Sequence, residues 1–239
     1  MVFDFKRLLS GLTLVISVFA SFYFNLDLFF FILIILMSIY DLTYSKIVNY
    51  KIFIIFFVIS FFLFYFLYKL NFDFEVFQIL FLFLILISIF DYRRINIYFT
   101  SLLIIFFIIF FYNFNIDRNS IYLLILISFI NDTSAYIFGS LLKGPKIIPK
   151  ISPNKTWSGT LFSFFISFFI FYFLNFPIII SFFLSIFFFI GDIYFSFIKR
   201  KNKLTDFSNL ISGHGGILDR LDSIFFNIVI INFYLINYL

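Results

Sequence analysis

The sequence contains no cysteine, a single histidine and only four prolines among its 239 residues. Without cysteine, the chain can form neither disulfides nor thiolate metal sites. Charged residues are also scarce: they make up 12% of the chain, whereas a soluble domain carries about a quarter. The low charge therefore excludes an ordinary soluble globular protein.

Apolar side chains fill the chain instead. They make up 64% of the residues, including 48 phenylalanines, and the mean hydropathy is +1.14. A helix needs about 20 mostly apolar residues to cross a bilayer. We therefore predict an all-α polytopic integral membrane protein with about nine transmembrane helices. The predicted spans are 8–24, 26–40, 52–69, 76–90, 97–112, 121–142, 157–175, 177–198 and 223–239.

The basic residues predict the orientation of these spans. With the N-terminus in the cytoplasm, fifteen of the 17 lysines and arginines fall in cytoplasmic segments, and only Lys69 and Arg118 lie outside. This asymmetry predicts a cytoplasmic N-terminus and a C-terminus outside. The first run follows Lys6 and Arg7 as a signal peptide would, but no convincing cleavage site follows, so we interpret it as the first span.

The net charge of +5 follows from the same asymmetry and from attraction to anionic lipid headgroups. Because the basic residues sit in short loops beside the membrane, we expect no nucleic-acid partner. No internal repeat, soluble domain or flexible linker is evident, which predicts a single transmembrane domain over 1–239. Its spans within 1–120 are poorly specified, and we place the catalytic half at 121–239.

One cytoplasmic loop, 143–159, carries four lysines and three prolines. The prolines favour extended or turn conformations, so the lysines can converge on polyanionic oxygens. Thr156 is expected to cap the next helix, whose N-terminus would add free N–H donors. An ordinary positive-inside loop explains the lysines, but not the pattern Pro-Lys-x-Ser-Pro-x-Lys-Thr-Trp.

A second polar stretch, 191–223, collects glycines, charges and the only histidine. Asp192 follows a long apolar run, where a carboxylate is costly and usually functional. Asp219 and Asp222 are three apart, which predicts a shared helical face. Glycines around His214 would let the backbone approach a ligand closely.

Carboxylates without cysteine or a histidine cluster suit a hard cation such as Mg²⁺, which commonly bridges substrate phosphates. With basic residues nearby, this combination predicts phosphoryl or nucleotidyl transfer, in which positioning and charge stabilisation do most of the catalysis. Simpler alternatives stay open for single residues. Asp192 could form a salt bridge with Lys199 or Arg200 and need no metal, and His214 alone could be a turn histidine.

At these residues the chain resembles the phosphatidate cytidylyltransferase (CDP-diacylglycerol synthase) family. The family signature is Ser-x-x-Lys-Arg, then Lys-Asp, then His-Gly-Gly-x-x-Asp-Arg-x-Asp, and two earlier segments also match. The resemblance is close over roughly the C-terminal half. The matching segments are Ser196–Arg200, Thr205-Asp206, Ser212–Asp222, Asn131–Tyr136 and Pro149–Thr156. One position departs, because Thr205 stands where the family usually has lysine, and Lys203 could substitute for it.

The resemblance implies that CTP and phosphatidate react, with Mg²⁺, to give CDP-diacylglycerol and pyrophosphate. It implies an integral membrane protein of a bacterial inner membrane, with its active site facing the cytoplasm, and it leaves a homodimer open. The implied metal ligands are Asp192 and Asp219, followed by Asp222 and Asp132. The implied catalytic residues are Asp192, Asp219, Lys199 and Arg220. The implied substrate-binding residues are Lys150, Ser152, Lys155, Thr156, Ser196, Arg200, His214, Gly215 and Gly216.

Two other functions compete. A CTP-dependent kinase of polyprenol or another lipid alcohol would share the nucleotide and the membrane, but the full histidine–glycine–aspartate motif favours the cytidylyltransferase. A transporter would place its polar residues near mid-membrane, often in two related halves. Here the polar residues gather at one predicted face.

Overall fold

A computed structural model describes residues 5–69, 75–211 and 215–238. Within them the chain is mostly helical, with one turn of 3-10 helix at Tyr92–Arg94 and two short strands. The α-helices are α1 (Phe5–Tyr23), α2 (Asp27–Tyr44), α3 (Tyr50–Lys69), α4 (Glu75–Phe90), α5 (Ile95–Ile116), α6 (Arg118–Leu142), α7 (Trp157–Phe173), α8 (Ile178–Lys201), α9 (Leu218–Leu221) and α10 (Asn227–Tyr238). The strands are β1 (Lys146–Ile148) and β2 (Ser152–Thr156).

Each predicted apolar run corresponds to a helix of the described chain, and most boundaries agree within a few residues. The last run departs most, because α10 begins at Asn227 rather than at 223. Residues 222–226 form turns instead. Oδ1 of Asp222 accepts the N–H of Ser223 at 2.9 Å, and such local side-chain bonds compete with helical ones.

Four of the described helices are long and apolar enough to cross a bilayer: α2, α5, α6 and α8. Other apolar helices of the described chain are shorter, such as α7 with 17 residues. Many large apolar side chains are exposed, among them Phe62 and Phe173, as expected where lipid takes the place of water. The fold fits an all-α membrane protein.

One loop of this mostly helical fold contains short strands, because the loop after α6 forms a β-hairpin. Strands β1 and β2 pair antiparallel, with Lys146 opposite Thr156 and Ile148 opposite Ser152. The N–H of Ile151 donates to the carbonyl of Ile148 at 3.1 Å, which closes a turn with Pro149 at its second position, where proline is favoured. The prolines thus favour the turn, although the sequence analysis did not predict strand pairing.

The chain divides into two compact units, one with Met1–Ile116 and Leu204–Asp219 (unit 1), the other with Asp117–Lys203 and Arg220–Leu239 (unit 2). The segment Leu204–Asp219 therefore packs with the N-terminal helices, although residues of unit 2 flank it in the sequence. The single domain over 1–239 stays a prediction.

Phenylalanines form the core of unit 1. Phe31 of α2 stacks on Phe110 of α5 with 5.9 Å between ring centroids, and both rings are buried. Phe99 of α5 stacks on Phe207 at 5.8 Å, and neither ring has exposed surface. The second pair attaches the segment 204–219 to the helices of its unit.

In unit 2, glycine lets helices α6 and α7 approach closely. A Cβ on Gly159 of α7 would lie 2.4 Å from the carbonyl oxygen of Ala135 in α6, so no side chain fits there. Phe138 and Phe162 stack on one another across the same pair of helices, with 4.5 Å between centroids. Backbone contact through small residues is a usual way for helices to associate in a membrane.

This packing predicts that Gly159→Val destabilises the protein. The added side chain must push α7 away from the Ala135 carbonyl, and overpacking of this kind costs about 1–3 kcal/mol. We expect a lower thermal-unfolding midpoint for the detergent-solubilised protein. Leu161→Val is the control, since Leu161 lies two residues further along the helix with half of its surface exposed. Equal midpoints for both variants would contradict the close helix contact.

Candidate active site

The β-hairpin leads directly into the N-terminus of α7, and Thr156 joins the two. Its hydroxyl accepts the N–H of Gly159 at 3.2 Å, which confirms the predicted helix cap. Ser158 accepts the N–H of Gly144 at 3.2 Å, so the start of the loop is tied to the same helix end. Lys150 is exposed at the hairpin turn, and Ser152 is half-buried.

Asp192 of α8 forms an ion pair with Lys155 of β2. The two side chains are only 16% and 27% exposed, so the pair is more shielded from solvent than a surface salt bridge. A salt bridge was one of the open alternatives for Asp192, with Lys199 or Arg200 as partner. The observed partner comes instead from the loop that the sequence analysis singled out for phosphate binding.

Two further charges belong to the same neighbourhood. Asp132 of α6 lies close enough to Asp192, Lys155 and Arg220 to interact with them electrostatically. Unit 2 therefore brings together two predicted carboxylates and two predicted cations from four separate segments of the chain. Because Asp132 interacts with each of the other three, and Lys155 pairs with Asp192, we call these four side chains the charge cluster.

Gly191 allows a close approach next to this cluster. A Cβ at this position would lie 2.1 Å from the carbonyl oxygen of Asp222, so α8 touches the turn after α9 through bare backbone. Asp222 is buried. Helix α9 ends at Leu221, one residue before Asp222, so the helical face predicted for Asp219 and Asp222 does not extend to Asp222.

The remaining predicted residues of α8 lie in its last turns. Ser196 is half-buried, Lys199 is buried, and Arg200 is exposed. The Nε–H of Arg200 donates to the carbonyl oxygen of Ile151 at 3.1 Å, which links α8 to the hairpin turn beside Lys150. The structure thus connects the two predicted loops through Arg200 as well as through Lys155.

Asp219 lies in unit 1, where its carboxylate binds the backbone of its own loop. Oδ2 accepts the N–H of Phe207 at 3.0 Å and that of Gly216 at 2.9 Å. Gly215 has a positive φ of 78°, and a Cβ there would lie 2.6 Å from Oδ2 of Asp219. The positive φ favours glycine at this position, and any side chain there would also have to displace the Asp219 carboxylate. His214 lies outside the described residues.

Asp41, a carboxylate outside the sequence motifs, lies in α2 with no exposed surface. Its Oδ1 accepts the Ser208 hydroxyl at 2.6 Å, and its Oδ2 accepts the N–H of Leu218 at 2.8 Å. One signal could have revealed it: Asp41 ends a long apolar run, as Asp192 does, and a carboxylate in that position is costly. Asp41 falls outside the motifs, so it was not singled out.

The carboxylates were tested as a possible Mg²⁺ site. The described residues contain no group of three or more aspartate, glutamate or histidine side chains placed to hold a metal. However, Mg²⁺ is commonly bound by one or two carboxylates together with substrate phosphates. Asp132 and Asp192, which interact within the charge cluster, fit that kind of donor set.

These features define a helical membrane protein that buries carboxylates beside basic residues and a capped helix N-terminus. The family model described as "Cytidylyltransferase family" matches residues 5–238, so the chain belongs to the cytidylyltransferase family.

Curated relatives agree over a shorter stretch. The phosphatidate cytidylyltransferase of Rickettsia conorii is 34% identical over 127 residues, which cover 46% of this chain and 55% of the relative. That of Rickettsia felis is 38% identical over 120 residues, 44% of this chain and 53% of the relative. That of Brucella abortus is 34% identical over 114 residues, 44% of this chain and 42% of the relative. The chain matches about half the length of these relatives.

The ion pair of Lys155 and Asp192 can be tested with a double-mutant cycle. Lys155→Met and Asp192→Asn each leave a shielded charge without its partner, whereas the double variant removes both charges. We expect the two single variants, added together, to lower the free energy of unfolding by more than the double variant does. The difference, which is the coupling free energy of the pair, should be about 0.5–3 kcal/mol. The measurement is unfolding of the purified protein in mixed micelles.

Arg94 and Asp91 provide the control pair. They are 4.0 Å apart with 73% and 40% of their side-chain surface exposed, and exposed pairs typically contribute little. A coupling for Lys155 and Asp192 as small as that of the control would show that the ion pair does not contribute to stability.

Proposed function

We propose that this protein is a phosphatidate cytidylyltransferase, which converts CTP and phosphatidate into CDP-diacylglycerol and pyrophosphate. The observation that carries the proposal is the charge cluster of Asp132, Lys155, Asp192 and Arg220 beside the capped N-terminus of α7. Membership of the cytidylyltransferase family and the names of the curated relatives support the substrates.

In the proposed reaction, a phosphate oxygen of phosphatidate attacks the α-phosphorus of CTP. The new P–O bond forms as the bond between the α-phosphorus and the bridging oxygen breaks, and pyrophosphate leaves with the electron pair. The attacking oxygen is already anionic at neutral pH, so no strong general base is needed. The protein has to bring two polyanions together and stabilise the charge that develops, which is how most phosphoryl transfer is catalysed.

Unit 2 supplies the cations for this task. Lys155 and Arg220 of the charge cluster, with Lys199 and Arg200 of α8, are the proposed phosphate ligands. The N-terminus of α7, which Thr156 caps, adds backbone N–H donors of the kind that bind phosphate in other proteins. Lys150 is exposed at the hairpin turn, where an incoming phosphate would meet it first.

Unit 1 supplies Asp219 and the glycines before it. Gly215 and Gly216 are proposed substrate-binding residues of the same loop, and a Cβ on either would lie within 2.6 Å of a carboxylate oxygen, that of Asp219 or that of Asp41. Asp219 is the proposed metal ligand of this loop, and its bonds to Phe207 and Gly216 hold its carboxylate in one orientation.

Magnesium is the proposed cofactor. The candidate ligands in unit 2 are Asp192, then Asp132 and Asp222, and the candidate in unit 1 is Asp219. When bound, the ion would neutralise phosphate charge and polarise the phosphorus under attack.

We further propose nine membrane spans in a bacterial inner membrane. The N-terminus and the active site lie on the cytoplasmic side, and the C-terminus lies outside. A homodimer is one arrangement open to test. Two contacts support this topology. The predicted orientation puts Asp41 and Ser208 on the cytoplasmic side, and their side chains are hydrogen-bonded. It puts Lys155 and the end of α8 on that side as well, and Lys155 pairs with Asp192.

The test uses the purified protein in detergent with phosphatidate, Mg²⁺ and CTP labelled at either the α- or the γ-phosphate. We expect the α-label to appear in a CDP-lipid and the γ-label in pyrophosphate. In a parallel reaction with a polyprenol in place of phosphatidate, a lipid-alcohol kinase would instead transfer the γ-label to the lipid hydroxyl and release the α-label as CDP. Absence of any labelled lipid with every phosphatidate tried would contradict the proposal.

Variants test the roles of the carboxylates. Asp192→Asn and Asp219→Asn are expected to lower kcat by roughly 10²–10³-fold, the range for removing one preorganised electrostatic group from an active site. Asp91→Asn is the control, because Asp91 pairs with Arg94 at the end of α4, outside both polar stretches. Full activity in both active-site variants would rule out their role in catalysis.

A further inference from the structure

Asp41 is a buried carboxylate that no part of the proposed reaction uses. It lies three residues before the end of the apolar helix α2 and has no exposed surface. Burying a carboxylate without partners costs several kcal/mol. The hydrogen-bond donors that offset this cost therefore indicate which part of the chain the Asp41 carboxylate positions.

Among the described residues, the hydrogen-bond donors to the Asp41 carboxylate belong to one segment, residues 208–218, which we call the glycine loop. The Ser208 hydroxyl donates to Oδ1 at 2.6 Å and the N–H of Leu218 donates to Oδ2 at 2.8 Å. Between them in sequence, Gly216 approaches so closely that a Cβ would lie 2.2 Å from Oδ2. One side chain on α2 thus holds both ends of the glycine loop.

The bond to Leu218 has a particular consequence for Asp219. Leu218 is the first residue of α9, and the first N–H groups of a helix have no partner within it. Asp41 supplies that partner from a distant helix and fixes the backbone immediately before Asp219. On the other side, Oδ2 of Asp219 accepts from Phe207 and Gly216.

These two sets of bonds determine the orientation of Asp219. With the preceding backbone held by Asp41 and Oδ2 held by two N–H groups, the direction of Oδ1 is determined as well. The hydrogen-bond partners of a metal-binding carboxylate typically matter almost as much as the ligand itself.

We propose that Asp41 is a positioning residue, which holds the glycine loop so that Asp219 faces the substrates. The inference rests on the proposed function, because it assigns Asp41 a role through Asp219. Asp41 itself touches neither nucleotide nor lipid. If it served stability alone, its removal would weaken the protein but leave the loop and the rate of the surviving enzyme unchanged.

Asparagine and alanine separate these roles. Asparagine can still offer its carbonyl oxygen to the N–H of Leu218 and its NH₂ group to the Ser208 hydroxyl, whereas alanine can do neither. We expect Asp41→Ala to lower kcat/KM for CTP by about 10–100-fold, as is typical for loss of such a partner, and Asp41→Asn to recover most of it. Asp27→Asn, at the other end of the same helix, is the control and should match wild type.

A second readout follows the loop directly and does not depend on activity. Because the chain has no cysteine, Thr205→Cys gives a single site for a nitroxide label on an exposed position before the loop. We expect the label to become more mobile in the Asp41→Ala protein and to return towards wild-type mobility with Asp41→Asn. If Asp41→Ala does not fold, Ser208→Ala removes one of the two bonds and should give an intermediate increase.

The outcomes are distinct. A folded Asp41→Ala protein with wild-type label mobility and wild-type kcat/KM overturns the inference. If Asp41→Ala cannot be isolated, wild-type label mobility in Ser208→Ala overturns it. Increased mobility with wild-type kcat/KM also overturns it, since Asp41 would then hold the loop without affecting catalysis. A wild-type protein that makes no CDP-lipid overturns the proposed function, whereas the label still decides whether Asp41 holds the loop.

Discussion

A carboxylate placed in an apolar environment must be matched by donors or by opposite charge, and this constraint organises both units of the molecule. In unit 2, Asp192 meets it with Lys155, which joins helix α8 to the β-hairpin. In unit 1, Asp41 meets it with the Ser208 hydroxyl and the N–H of Leu218, which join helix α2 to the glycine loop. In each case the partner of the carboxylate comes from a loop that carries predicted site residues. The interaction that offsets the cost of burial therefore also positions residues predicted for the site.

Glycine serves the same arrangement by letting backbone come close to backbone or to a carboxylate. Gly191 brings α8 against the carbonyl of Asp222, and Gly216 brings the glycine loop against Asp41. A methyl group would lie 2.1 Å from an oxygen atom at Gly191 and 2.2 Å from one at Gly216, so the contacts could not form. At these two described positions, glycine is thus found where backbone packs tightly against an oxygen atom.

Much of the fold could be predicted from local pattern. The apolar runs correspond to the helices because hydropathy and helix length are properties of neighbouring residues. Thr156 could be predicted as a cap for the same reason, since capping depends on the next three residues. The hairpin was only half predicted: proline restricts each residue next to it, but the pairing of β1 with β2 depends on both strands. Asp41 was missed because its one local signal, a carboxylate at the end of an apolar run, is not accompanied by any motif.

The sequence by itself determined that this is a helical membrane chain with two polar stretches, and its motifs were enough to indicate a family. Only the tertiary structure decided which charges meet. Lys155 and Asp192 are 37 residues apart, and Asp41 and Ser208 are 167 residues apart. Separations of that size carry no periodicity from which a contact could be inferred. The packing of whole helices determines the partners. It brings a lysine of the hairpin to one carboxylate and a serine of the glycine loop to the other, and either carboxylate would be costly to bury alone.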